Sequence, residues 1–196
     1  MANVTSVKSK QFLTGTDTDA ISASGTATTL VLLNSGPWIN AQTVTLTSSA
    51  DNTGITFDVV GKDATGAAQT KSSVTGPGAG ATVTVAGTWS EITSITASGS
   101  ITTDISAGIK DGATTGTIFA GRTRVRGMQG VAGGGAGHLF FKNSSATTGA
   151  NKLTIDVDSG EVINPIIPDN GILFADGAYF AYDGTVVAGL SVQYDG

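Results

Sequence analysis

Short stretches in which apolar and polar residues alternate, each closed by glycine or by a Pro/Asp/Asn cluster, constrain this chain more than any other feature. "TVTLTSS" sets Val44 and Leu46 against Thr43, Thr45 and Thr47, and "GITFDVVGKD" sets Ile55, Phe57 and Val59 against Thr56 and Asp58. "KLTIDVDSG" repeats the pattern with Leu153, Ile155 and Val157 on one side. A period of two is the signature of a half-buried strand, because successive side chains leave opposite faces of the pleat. The residue types agree: Thr, Val and Ile crowd the preceding turn of a helix but pack well on a sheet. Only Ser90–Ile95 allows a helical period to be traced. There Ile92 and Ile95 break strand parity, which predicts a bulge or a turn.

Glycine occupies 28 of the 196 positions and charged residues only 13% of the chain. Mean hydropathy is nonetheless positive at +0.15, which a charged disordered chain does not show. Strand signals spaced by about 8–12 residues suit sandwiches and partly closed barrels. The expected fold is all-β: two small antiparallel β-sandwich or partly closed barrel domains behind an extended N-terminal arm. The arm covers residues 1–25, the first domain 26–111 and the second 112–196, with the boundary in "KDGATTG". Asp176-Gly177 and Asp183-Gly184 are dipeptides that favour hairpin turns.

Several function classes find no support in this chain. Cysteine is absent, so neither disulfides nor thiolate metal sites contribute. "IDVDSGE" spaces Asp156, Asp158 and Glu161 somewhat like a calcium loop, but Gly160 stands where the next alternate ligand belongs. "GVAGGGAG" is followed by the strand-like "HLFFKN" and not by the helix that a phosphate-cradling loop needs. His138 is the single histidine, and no Gly-x-Ser-x-Gly elbow accompanies it. No catalytic residue, metal or cofactor is expected, and the chain is read as a non-enzyme. "MANVTSVKSK" lacks the apolar core of a secretory signal, and "LVLL" is too short to cross a bilayer. The expectation is a chain made in the cytoplasm with no membrane partner. A pI near 4.6 argues against a nucleic-acid partner.

All three arginines of this acidic chain, Arg122, Arg124 and Arg126, lie at alternate positions of "FAGRTRVRGMQG". On one strand they would project as a stripe about 7 Å apart, with Phe119, Thr123 and Val125 turned to a core. Asp156 and Asp158 share the face of "KLTIDVDSG" away from its apolar residues. If the two strands are neighbours, a cross-strand charge ladder follows. A second reading is a stripe that docks on an acidic partner, for which the planar guanidinium is well suited. A third is phosphate or nucleic-acid binding, for which three arginines without interleaved exposed aromatics make a poor groove. Trp38 and Trp89 read as core anchors beside turns; with Tyr179 and Tyr182 they are also the candidates for a sugar-stacking platform.

Two segments carry a resemblance. Gly54–Ile109, with its "GKDATG" turn, Thr-rich strand, "TGP" and closing "ITSITASG", resembles a module of tailed-bacteriophage virion proteins. "PDNGILFADGAYFAYDGTVVAGLSVQYDG", Pro168–Gly196, is similar to C-terminal segments of phage structural proteins. In the first segment, "TKSSVTGP" stands in place of the more usual alternating Thr–Glu strand. The resemblance implies a non-enzymatic, many-copy component of the particle, homo-oligomeric there, whose partners are the major capsid protein or other virion subunits. A capsid decoration or cement protein is the expectation. A tail component (tube, adaptor, nozzle or fibre) and a carbohydrate-binding adhesion module are the alternatives.

Overall fold

The computed structural model describes residues 7–13, 15–101, 104–110, 115–183 and 187–196. The first strands are β1 (Val7–Leu13), β2 (Asp17–Gly25), β3 (Thr43–Ser48), β4 (Thr56–Asp63), β5 (Ala68–Thr75), β6 (Thr82–Thr84), β7 (Trp89–Ala97) and β8 (Ile105–Lys110). They are followed by β9 (Thr115–Phe119), β10 (Thr123–Ala132), β11 (Gly137–Asn143), β12 (Asn151–Val157), β13 (Val162–Ile163), β14 (Ile172–Phe174), β15 (Ala178–Tyr182) and β16 (Val187–Asp195). The fold is all-β, and every strand pair is antiparallel.

The chain divides into two compact units. Unit 1 comprises residues 1–14, 38–40 and 113–196; unit 2 comprises 15–37 and 41–112. The boundary expected in "KDGATTG" falls on residues 111–114, which lie outside the described residues. The N-terminal 25 residues differ from the expected arm. Val7–Leu13 is a full strand of unit 1 paired along its length with β16, and Asp17–Gly25 pairs with β8 within unit 2. Polar strands such as "VKSKQFL" carry little periodicity of their own, so only the partner strand reveals them.

Unit 1 packs a sheet of order β1-β16-β10-β13, with β14 also on β10, against a sheet of order β12-β11-β15-β9. One buried cluster joins the inner faces. Phe12, Val125, Met128, Phe174, Leu190 and Val192 come from the first sheet; Ile118, Leu139, Phe141 and Phe180 come from the second. Phe12 meets Phe180 edge-on at 4.8 Å between ring centroids, and Phe180 meets Phe141 at 5.3 Å. Two sheets around one apolar layer make a sandwich. Unit 2 has sheets of order β2-β8-β3-β6 and β5-β4-β7. Val44, Leu46, Ile105 and Ile109 are buried from the first, and Phe57, Val59, Trp89, Ile92 and Ile95 from the second.

Of the two readings of the broken parity at Ile92 and Ile95, the structure shows the bulge. Val60 pairs with Ser94 and Gly61 with Ile92, so Thr93 is the extra residue and both isoleucines stay buried. Gly61 is needed at that point, since a Cβ there would stand 2.0 Å from the Glu91 carbonyl oxygen. The trace of a helix over Ser90–Ile95 is not realised; the stretch lies within β7.

Two expectations are corrected. "TIFAGRTRVRG" is not one strand: β9 ends at Phe119 and β10 begins at Thr123, in opposite sheets. The dipeptide Asp176-Gly177 turns the chain, with Gly177 at φ +110°, but joins β14 and β15 of opposite sheets and makes no hairpin. Asp183 likewise leads from β15 toward β16 of the other sheet, while Gly184 lies outside the described residues. An Asp-Gly pair specifies a reversal of direction, not the identity of the next partner.

Candidate functional site

The arginine segment opens β10. Thr123 and Val125 are buried and Arg124 and Arg126 turn outward, the alternation that the sequence implies. Arg122 precedes the strand and is exposed. Phe119 is not on the inner face of this strand; it ends β9, packs on the same core and lies 5.8 Å from the Tyr194 ring.

Register explains what each arginine does. Arg124 faces Asp195, Val125 faces Tyr194 and Gly127 faces Gln193, so Arg126 is the extra residue of a bulge. A bulge re-aims its side chain. Here the Arg126 guanidinium reaches Asp195, with Nε at 2.7 Å and Nη2 at 2.6 Å from Oδ2. Its Nη1 donates to the Asp169 carbonyl at 3.1 Å, and Arg124 Nη1 donates to the Asn170 carbonyl at 3.0 Å. Those carbonyls come within reach because Gly171, at φ +68°, lets the 168–171 turn close on β10; a Cβ there would meet the Val125 carbonyl at 2.7 Å. The carboxylate of Asp195 holds the Arg126 pKa above its ordinary value. Thr123 Oγ1 donates to the Asp195 carbonyl and pins the same strand end. Arg122 has no hydrogen-bond or ion-pair partner among the described residues. It borders a shallow hollow of about 270 Å³ with Arg124, Leu173, Asp195 and Gly196.

Asp156 and Asp158 are not the partners of this stripe. They lie on and just after β12, in the opposite sheet from β10. Equal and opposite charge patterns on two strands say nothing of whether those strands pair. Asp195 was the partner that sequence reasoning missed; its place in the terminal "QYDG" offered no period to read.

A second cluster sits on the outer face of the other sheet. His138 is the second residue of β11 and the register partner of Asp156 on β12. Its backbone N–H donates to Asp183 Oδ1 at 2.6 Å, and Nδ1 lies 2.9 Å from Asp183 Oδ2. Nε2 lies 3.5 Å from Asp156 Oδ1, and the ring stacks on Phe140 at 5.8 Å. The Asp183 hydrogen bond and charge, with a smaller contribution from Asp156, raise the His138 pKa. The His138 N–H groups lower that of Asp183. Both ring nitrogens face carboxylates, so the imidazole clamps three strands together and is not aimed at a hydroxyl nucleophile. An open groove of about 540 Å³ adjoins it, lined by Gly137, His138, Asp156, Asp158 and Glu161. Among the described residues no three such groups are placed to hold a metal ion.

The aromatic candidates are largely inside. Trp38 and Trp89 are 1% and 0% exposed, so neither offers a face to a sugar ring. Tyr179 is buried with its hydroxyl 2.7 Å from Thr115 Oγ1, and Tyr182 is half-buried against Phe12. No helix among the described residues is long and apolar enough to cross a membrane. Compared with known protein families, with curated proteins and with solved structures, the chain finds no match in any of the three.

Proposed function

We propose that this chain is a non-enzymatic structural protein of a tailed-phage particle, a decoration or cement protein that binds the outer face of the capsid. The observation that supports this reading is the resemblance carried by two separate segments, which contribute strands to both units of the fold. Gly54–Ile109 spans β4 to β8 of unit 2, and Pro168–Gly196 supplies β14 to β16 of unit 1. On this reading the major capsid protein is the partner, the protein is made in the host cytoplasm, and many copies sit on the shell. A subunit that binds only the assembled lattice stabilises that lattice by mass action.

Arg122 and Arg124 are the groups that would meet the shell, since Arg122 is unpaired among the described residues and Arg124 spends one donor on a loop carbonyl. Arg126 is kept out of this role by Asp195. The test is binding of the purified protein to capsids that lack it, at low and high salt, beside an Arg122→Ala/Arg124→Ala variant with an unchanged melting temperature. Wild-type binding that weakens with salt and is lost in the variant is expected. Absence of wild-type binding overturns the capsid assignment and directs the same assay to tails.

A further inference from the structure

The outer strand β12 has an open edge, and the edge is self-complementary. We propose that two copies of this chain associate through β12, antiparallel and centred on Thr154, so that their four-stranded sheets join into one. This inference does not depend on the capsid reading.

β12 ends its sheet, with β11 on one side and no strand on the other among the described residues. The Asp183 N–H donates to the His138 carbonyl, so the His138 backbone faces β15. In an antiparallel ladder the partner of such a residue turns its own N–H and C=O the other way. Asp156 is that partner, and Thr154, two residues back, has the same orientation. Both therefore present unpaired donors and acceptors along the free edge. Two Thr154 residues opposite each other would exchange a pair of hydrogen bonds at the two-fold axis.

Side chains fit the same register. Centring on Thr154 sets Leu153 against Ile155 of the second copy, and both are half-buried residues at the margin of the core. It also sets Lys152 against Asp156 of the second copy, twice by symmetry. Lys152 is exposed and has no carboxylate partner within its own chain among the described residues. It is the extra residue of a bulge, since Phe141 pairs with Leu153 and Lys142 with Asn151, which frees it from β11. Asp158 and Glu161 follow Asp156, so the second copy's lysine arrives at the acidic end of the strand. A parallel arrangement would instead oppose lysine to lysine.

Three other edges, those of β1, β9 and β5, are less suitable. Gln11 of β1 is already bridged by Trp38, with the Ile39 N–H on its carbonyl. Gly116 of β9 lies against the Ile39 carbonyl. β5 carries a register shift beside Ser73, whose φ is +56°, and such irregularity blunts an edge.

Sedimentation equilibrium on the full chain over a concentration series tests this. Wild type is expected to form a dimer, and a monomer at every concentration overturns the proposal. Lys152→Glu opposes two acids and Asp156→Lys opposes two lysines, so each alone weakens dimerisation by about tenfold or more. An equimolar mixture of the two variants restores both attractive pairs and is expected to recover the wild-type affinity. Thr154→Pro removes the outward N–H at the centre of the pairing and also yields monomer, with circular dichroism and melting temperature confirming the fold of each variant. Single variants that dimerise like wild type, or a mixture that fails to recover, would refute the Thr154-centred pairing.

Discussion

Arg126 and Asp195 form a two-point ion pair, 2.7 and 2.6 Å from guanidinium nitrogens to one carboxylate oxygen, between the bulge of β10 and the last residue of β16. It binds the C-terminal strand end that Thr123 also pins. Asp195→Asn leaves the shape intact and removes the charge. The expected result is a lower melting temperature at low salt and a smaller difference from wild type at high salt, because screening already weakens the wild-type pair. Arg122→Ala, by contrast, is expected to leave the melting temperature unchanged.

The pair of His138 and Asp183 predicts a pH dependence. The ordinary His138 value is 6.5 and pairing raises it, so its contribution is complete below 6.5 and is lost as pH rises through the folded-state value. The ordinary Asp183 value is 3.8 and pairing lowers it, so its contribution is present above 3.8 and is lost as pH falls through the folded-state value. Thermal melts should therefore show the clamp at full strength between these limits and a decline on the alkaline side. In His138→Gln that alkaline decline should shrink, and an unchanged profile would remove the clamp from the account.

Phe141 is fully buried where the two sheets of unit 1 meet, in ring contact with Phe180. Replacing it by alanine should cost about 3–5 kcal/mol, measured by urea unfolding. Phe140, one residue earlier and on the outer face, should cost far less when truncated.

Gly61 tests the bulge in unit 2. In an ordinary strand, alanine for glycine stabilises by roughly 0.5–1 kcal/mol. Here the added Cβ meets a backbone carbonyl at 2.0 Å, so Gly61→Ala should instead destabilise by about 1–3 kcal/mol, read from the same urea titration. Gly189, with nothing within 4 Å of a built Cβ, is the control and should tolerate alanine.

Local chemistry settled much of this protein. Alternation assigns the inner faces of β3, β4 and β12, and the Ile92–Ile95 spacing marks a bulge or a turn, of which the fold realises the bulge of β7. Thr123 and Val125 inward with Arg124 and Arg126 outward follow from parity alone. What alternation cannot carry is the identity of a neighbour. Asp195 lies 69 residues from Arg126 and Asp183 lies 45 from His138, and only the closing of the sheets brings them together. The same holds for β1, a polar segment made a strand by β16, and for Asp176-Gly177, a turn that crosses between sheets. Strand faces are local because each residue's side is set by its own pleat. Strand partners are global because they are chosen by burying every inner face at once.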